Sequence, residues 1–161
     1  MSFIPIIFHS KDVRICAFYA LEAISRIRDK WQVVSQACGF NLVRGPAFLF
    51  LDKVLRYILE KEDTELTFDL ADTFLSFFAF NVSVQGTQLL TANNFIPLFV
   101  TTIANAPATS GKLVAKLVSI VDNLVSHWNG FAQFRAVDGV TVLVEKLKVC
   151  SILYDACIII S

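Results

Sequence analysis

Three segments of this chain share one pattern. "RGPAFLFLDKVL" (44–55), "NFIPLFVTTI" (94–103) and "DGVTVLVEKL" (138–147) each place a short turn before an apolar helical stripe. Lined up on Gly45, Phe95 and Gly139, they stand 50 and 44 residues apart. A second set, "YALEAIS" (19–25), "TFLSFFA" (73–79) and "IVDNLVS" (120–126), interleaves with the first in the same order. Its anchors Leu21, Leu75 and Val121 are 54 and 46 apart. Such recurrence narrows the options sharply. A helix pair of this size cannot cover its own apolar face, so successive units must stack on one another.

The elements follow from spacing and punctuation. Ser10 is placed to cap a helix from Lys11 to about Arg28, with Val13, Ala17, Ala20, Leu21, Ile24 and Ile27 as its stripe. Asp29 is placed to cap a short helix through "KWQVVSQA" that Gly39 ends. Pro46 suits a first helical turn, where its missing N–H is harmless, and Ala47, Leu51, Val54, Leu55 and Ile58 line one face beyond it. The charged run Glu60 to Glu65 reads as a solvated turn, and Thr64 or Thr67 opens the next helix, with Phe68, Ala71, Leu75 and Phe78 inside. A short helix from Gly86 to Ala92 stops at Asn93-Asn94, and Pro97 lies in the first turn of the next. Ser110 is placed to cap a long helix to Trp128, striped by Leu113, Leu117, Val121 and Leu124. The expected fold is all-α: an armadillo/HEAT-like right-handed α-solenoid of two and a half to three repeats. It forms one unit, 1–161, with repeat boundaries near 39–45, 93–95 and 138–139.

Composition fits a piece of a longer stack. Of the 161 residues, 55% are hydrophobic and 17% charged, with 15 Phe; about 25% charged is usual for a free domain. "SFIPIIF" and "ILYDACIIIS" read as edges that a neighbour would bury. No apolar run reaches the roughly 18 residues a spanning helix needs, so no membrane partner is expected. Lys+Arg and Asp+Glu are both 14. Zero net charge gives no general case for nucleic acid. Residues 1–15 lack a basic n-region and carry Lys11, Asp12 and Arg14, unlike a secretory signal. The expected compartment is the cytoplasm, the nucleus or both, which makes Asn81-Val82-Ser83 a chance sequon.

Two stretches carry a family likeness. From Gly86 to Lys148 the chain has the run "LLTANNFIPLF", the helix "IVDNLV" and the close "FAQFRAVDGVTVLVEKLK". From Ala20 to Arg56 a helix, a short helix and an asparagine-containing turn lead to "KVLR". Across roughly 11–150 the sequence resembles the armadillo-like N-terminal region of the giant HECT-type ubiquitin ligases. That resemblance implies a scaffold segment whose partners are adjacent solenoid segments of one large protein, protein substrates and, through the parent, the ubiquitin pathway. In such ligases a C-terminal HECT cysteine carries ubiquitin as a thioester. Cys150 in "KVCSI" and Cys157 in "DACII" lack the His-Thr-Cys-Phe-like surroundings of that cysteine. The competing expectation is a stand-alone armadillo/HEAT adaptor.

No catalytic residue, cofactor or metal is expected. Cys16, Cys38, Cys150 and Cys157 form no CxxC pair, and His9 and His127 are far apart. His127 beside Trp128 suits a helix-end role, and Glu60, Glu62, Asp63 and Glu65 lack a calcium-loop pattern. No glycine-rich phosphate loop occurs. Phe77, Phe78 and Phe80 read as packing before pocket. Arg26, Arg28 and Lys30 suit the carbonyl end of a helix. Peptide-binding armadillo grooves use an asparagine ladder; Asn123 sits at such a position, but Ala23 and Phe77 occupy its counterparts. Asn123 and Arg135 are the candidate partner-binding residues. Around Arg135, Phe131 and Phe134 are expected to face the core, Gly139 to permit a turn and Asp138 to cap the last helix.

Overall fold

Apolar residues three and four apart, interrupted at Gly39, Thr67, Asn94 and Pro107, set the helices. The computed structural model describes residues 10–40, 42, 45–60, 66–81 and 84–148. Along them run α1 (Lys11–Ser25), α2 (Trp31–Ala37), α3 (Pro46–Glu60), α4 (Phe68–Asn81) and α5 (Val84–Ala92). Then follow α6 (Phe95–Asn105), a 3-10 turn (Ala108–Ser110), α7 (Gly111–Val125), α8 (Trp128–Ala136) and α9 (139–148). Among the described residues there is no strand. The chain is all-helical.

The longer helices pack on one another in two series, each member three helices on from the last. α1 lies on α4 and α4 on α7, while α3 lies on α6. Lys146 of α9 donates to the carbonyls of Ala104 and Ala106 at the end of α6, so α9 continues the second series. The short helices fill the corners: α2 touches α1 and α4, and α8 touches α6 and α7. α4 is the most enclosed element. Leu70, Ala71, Phe74, Leu75, Phe77 and Phe78 are all fully buried. Its rings knit the layers together. Phe74 meets Phe18 at 5.3 Å and Phe50 at 4.7 Å, and Phe78 meets Phe40 at 5.1 Å and Phe48 at 5.9 Å. The high Phe count thus becomes one continuous core, each buried ring contributing about 1.5–3 kcal/mol of transfer free energy.

The turns depart from expectation in instructive ways. α1 ends at Ser25, three residues early, where the Ser25 hydroxyl bonds back to the Leu21 carbonyl at 2.7 Å. Asp29 caps nothing: it takes φ 65° between helices, and Lys30 is the N-cap residue of α2. Asn94 (φ 56°) and Asp138 (φ 51°) make the same left-handed step immediately before α6 and α9. Asp and Asn tolerate that region better than other side chains with a Cβ. Ser10 and Ser110 hold N-cap positions but make no side-chain cap bond. Thr67 does cap, its Oγ1 accepting from the Leu70 N–H at 3.4 Å. Gly39 ends the α2 turn with φ 72°, as expected. The apolar ends, most of the charged run after Glu60, His9, Cys150 and Cys157 lie outside the described residues.

The expected stripe of α1 is the main correction. Phe18 and Ser25 are its buried residues. Val13, Ala20, Ile24 and Ile27 are exposed, Ile27 by 56%, while Ala17 and Leu21 of the same stripe are half-buried and Leu21 packs on the core. α1 therefore packs on α4 through one face and presents an apolar stripe on the other.

Candidate functional site

Two surface regions gather the polar chemistry. The first is the seam between α4 and α7. Asp72 sits one turn into α4, and Lys112 and Lys116 are one turn apart at the start of α7. Their spacing of four aims both amines at one carboxylate. Lys112 Nζ lies 3.1 Å from Asp72 Oδ2, and Lys116 Nζ lies 2.7 Å from Oδ1. Lys116 also donates to the Asp72 carbonyl at 2.8 Å and to the Ser76 hydroxyl. Asp72 is only 15% exposed, so this knot is partly shielded from water. It clamps two adjacent layers and leaves no free acid or base. On the α1 side of α4, Arg26 pairs with Glu22 at 2.6 Å and lies 4.8 Å over the Phe80 ring. Asn123 is exposed on α7, on the flank that carries Lys112 and Lys116. Phe77, matched to it in sequence, is buried against Phe18 of α1, so the two positions differ in burial.

The second region is the α8–α9 joint. On α8, Trp128, Phe131 and Arg135 fall three and four residues apart on one exposed flank. Trp128 is 81% exposed and Phe131 47%, whereas Phe134 is buried. Of the two phenylalanines expected to face the core, only Phe134 does. Arg135 is exposed and lines two shallow cavities, one of about 380 Å³ with Trp128, Phe131 and Ala132, the other of about 250 Å³ with Phe134, Asp138 and Val140. Asn123 lines neither, so the two candidate residues do not form one site.

The joint itself is built by packing. Asp138, not Gly139, takes the left-handed turn, and its Oδ1 accepts from the Thr141 hydroxyl at 2.9 Å. Gly139 is needed for another reason: a Cβ there would stand 2.2 Å from the Phe134 ring. Gln133 ties α8 back to the end of α5, its Nε2 donating to the Thr91 carbonyl at 2.6 Å.

Other candidates resolve into structural roles. His127 is the extended N-cap residue of α8, and its carbonyl accepts from the Phe131 N–H at 2.9 Å. Cys38 is buried, and desolvation raises its thiol pKa to about 12, which suppresses the thiolate. Cys16 is exposed on the outer face of α1. Among the described residues no three His, Cys, Asp or Glu side chains converge as a metal site, and no helix is long and apolar enough to cross a membrane. Sequence reasoning did not single out Trp128 as an exposed side chain, although its i, i+3, i+7 spacing with Phe131 and Arg135 is visible. It could not have found the Asp72–Lys116 knot, whose members are distant in sequence. No family model, no curated protein and no solved structure matches the chain.

Proposed function

We propose that this chain is a protein-binding scaffold: an armadillo/HEAT-like α-solenoid segment of about three repeats that acts through shape and surface rather than by chemistry of its own. The single observation that supports this is the packing order, α1 on α4 on α7 and α3 on α6. Contacts between successive layers are what a solenoid requires. The parent we propose is a HECT-type ubiquitin ligase, on the resemblance of residues 11–150, with the segment helping to receive protein substrates for ubiquitination. Asn123 on the α7 ridge and Arg135 with Trp128 on α8 are the proposed partner contacts, since Trp and Arg dominate binding hot spots.

Two experiments test the two parts. Removing the first layer, residues 1–44, should leave a helical remainder that still unfolds cooperatively, at reduced stability. Complete unfolding of the remainder, seen by circular dichroism, would count against a layered stack. For the ligase reading, the deciding measurement is the full reading frame: a HECT domain downstream supports it, and a transcript ending without one leaves the adaptor instead.

A further inference from the structure

We infer that N-glycosylation of Asn81 and formation of this fold exclude one another, so the chain matures only where no glycan is transferred to it. This goes beyond the scaffold reading and needs neither of its parts. One stretch of the sequence, Asn81-Val82-Ser83, has the Asn-X-Ser/Thr pattern with a residue other than proline in the middle. Where such a pattern is used it lies in a surface loop, because the attached sugar is bulky and hydrated. Asn81 lies elsewhere. It is the last residue of α4, the most enclosed helix, and it is 3% exposed.

Both events need the same atom. In the transfer, the side-chain nitrogen of Asn bonds to the anomeric carbon of a lipid-diphosphate-linked oligosaccharide. The bond from that carbon to the diphosphate oxygen breaks, and the amide loses one proton. In this fold that nitrogen, Asn81 Nδ2, is buried and donates to the Phe77 carbonyl at 2.9 Å. The other end of the amide, Oδ1, is buried too. The turn that carries Asn81 is held from several sides: Phe77 meets Phe18 at 5.5 Å and Phe40 at 5.7 Å, and Phe78 meets Phe48 at 5.9 Å. A sugar on Nδ2 reaches water only if the last turn of α4 opens, and opening it strips Phe77 and Phe78 from the core. The folded chain, in turn, offers no nitrogen to a transferase.

The test directs the full chain into the secretory pathway of cultured cells behind a cleavable signal sequence. Beside it run Ser83→Ala, which removes the acceptor pattern and keeps Asn81, and Ser83→Thr, which makes the pattern a better acceptor. Glycan is read as a mobility shift that a peptide N-glycosidase reverses, and folding as resistance to limited proteolysis. Glycosylated molecules should be cut at about a tenth of the protease that Ser83→Ala withstands, and resistant molecules should carry no glycan. A chain that stays resistant and unglycosylated even as Ser83→Thr also supports the exclusion, since folding has then withdrawn the nitrogen. Glycosylated molecules as resistant as Ser83→Ala overturn it. So does Ser83→Ala no more resistant than the glycosylated chain, because the glycan is then not what prevents folding. Circular dichroism of Ser83→Ala made without the signal sequence checks that the substitution keeps the helices, and Ser83→Gly replaces it if it does not.

Discussion

The middle layer and the two end layers are made of similar sequence and end up in different surroundings. Among the described residues from Phe68 to Asn105, only Phe80 and Leu98 are large apolar side chains left exposed. The first layer exposes Val13, Tyr19, Ile24, Ile27, Trp31, Val33, Leu42 and Leu49, and the last exposes Trp128, Phe131, Val140, Val144 and Leu147. The difference is position in the stack. α4 has a neighbour on each side, while among the described residues α1 and α9 each keep an exposed apolar side. Scattered apolar residues on a surface mean little, but contiguous ones mark a contact face.

Substitutions can break this comparison or sharpen it. The largest effect is expected at the centre. Phe74→Ala removes a fully buried ring touching Phe18, Phe50 and Phe78 and should cost about 3–5 kcal/mol in urea unfolding. Next is Gly139→Ala, where the new methyl collides with Phe134; a loss of about 1–3 kcal/mol is expected. Asp72→Ala should cost about 1–2 kcal/mol, the loss shrinking as salt is added, because it undoes the clamp between α4 and α7 while Lys116 keeps its other acceptors. The smallest is Trp128→Ala. Its ring is largely in water, so stability should move by no more than about 0.5 kcal/mol, while binding of an apolar dye falls. A Trp128→Ala loss as large as that of Phe74→Ala would abolish the distinction between layers.

Much of the fold was legible because its signals are local. Gly39, Pro46, Thr67 and Pro97 each act within one turn of chain, and the predicted helix positions around them agree with the structure. What failed depends on neighbours. The α1 stripe was read correctly as apolar, but periodicity does not say which of two apolar faces a partner has taken, and Phe18 on the opposite side won the core. Phe131 and Phe134 share a helix, yet only Phe134 meets the joint. Asp29, expected as a cap, instead supplies a left-handed step, while Asp138 takes such a step in the cap position immediately before α9, a role that composition assigns first to glycine. Of the candidate site, Arg135 is legible as an exposed cation, but the smaller of the two cavities around it arises only when α8 and α9 meet. Asn123 and Phe77 are paired by alignment and separated by burial, Phe77 packing on Phe18 of α1 and Asn123 remaining exposed beside α4.

The near-equal lengths of α1, α4 and α7, 15, 14 and 15 residues, carry a consequence for distance. Packed helices lie about 8–10 Å apart, so each added layer advances the ridge by that amount without widening it. On the proposed solenoid reading, such a chain is a ruler, graduated in helices. The gap between two partners held at its ends would be set by how many layers separate them, and inserting or deleting one layer would move that gap by a single graduation.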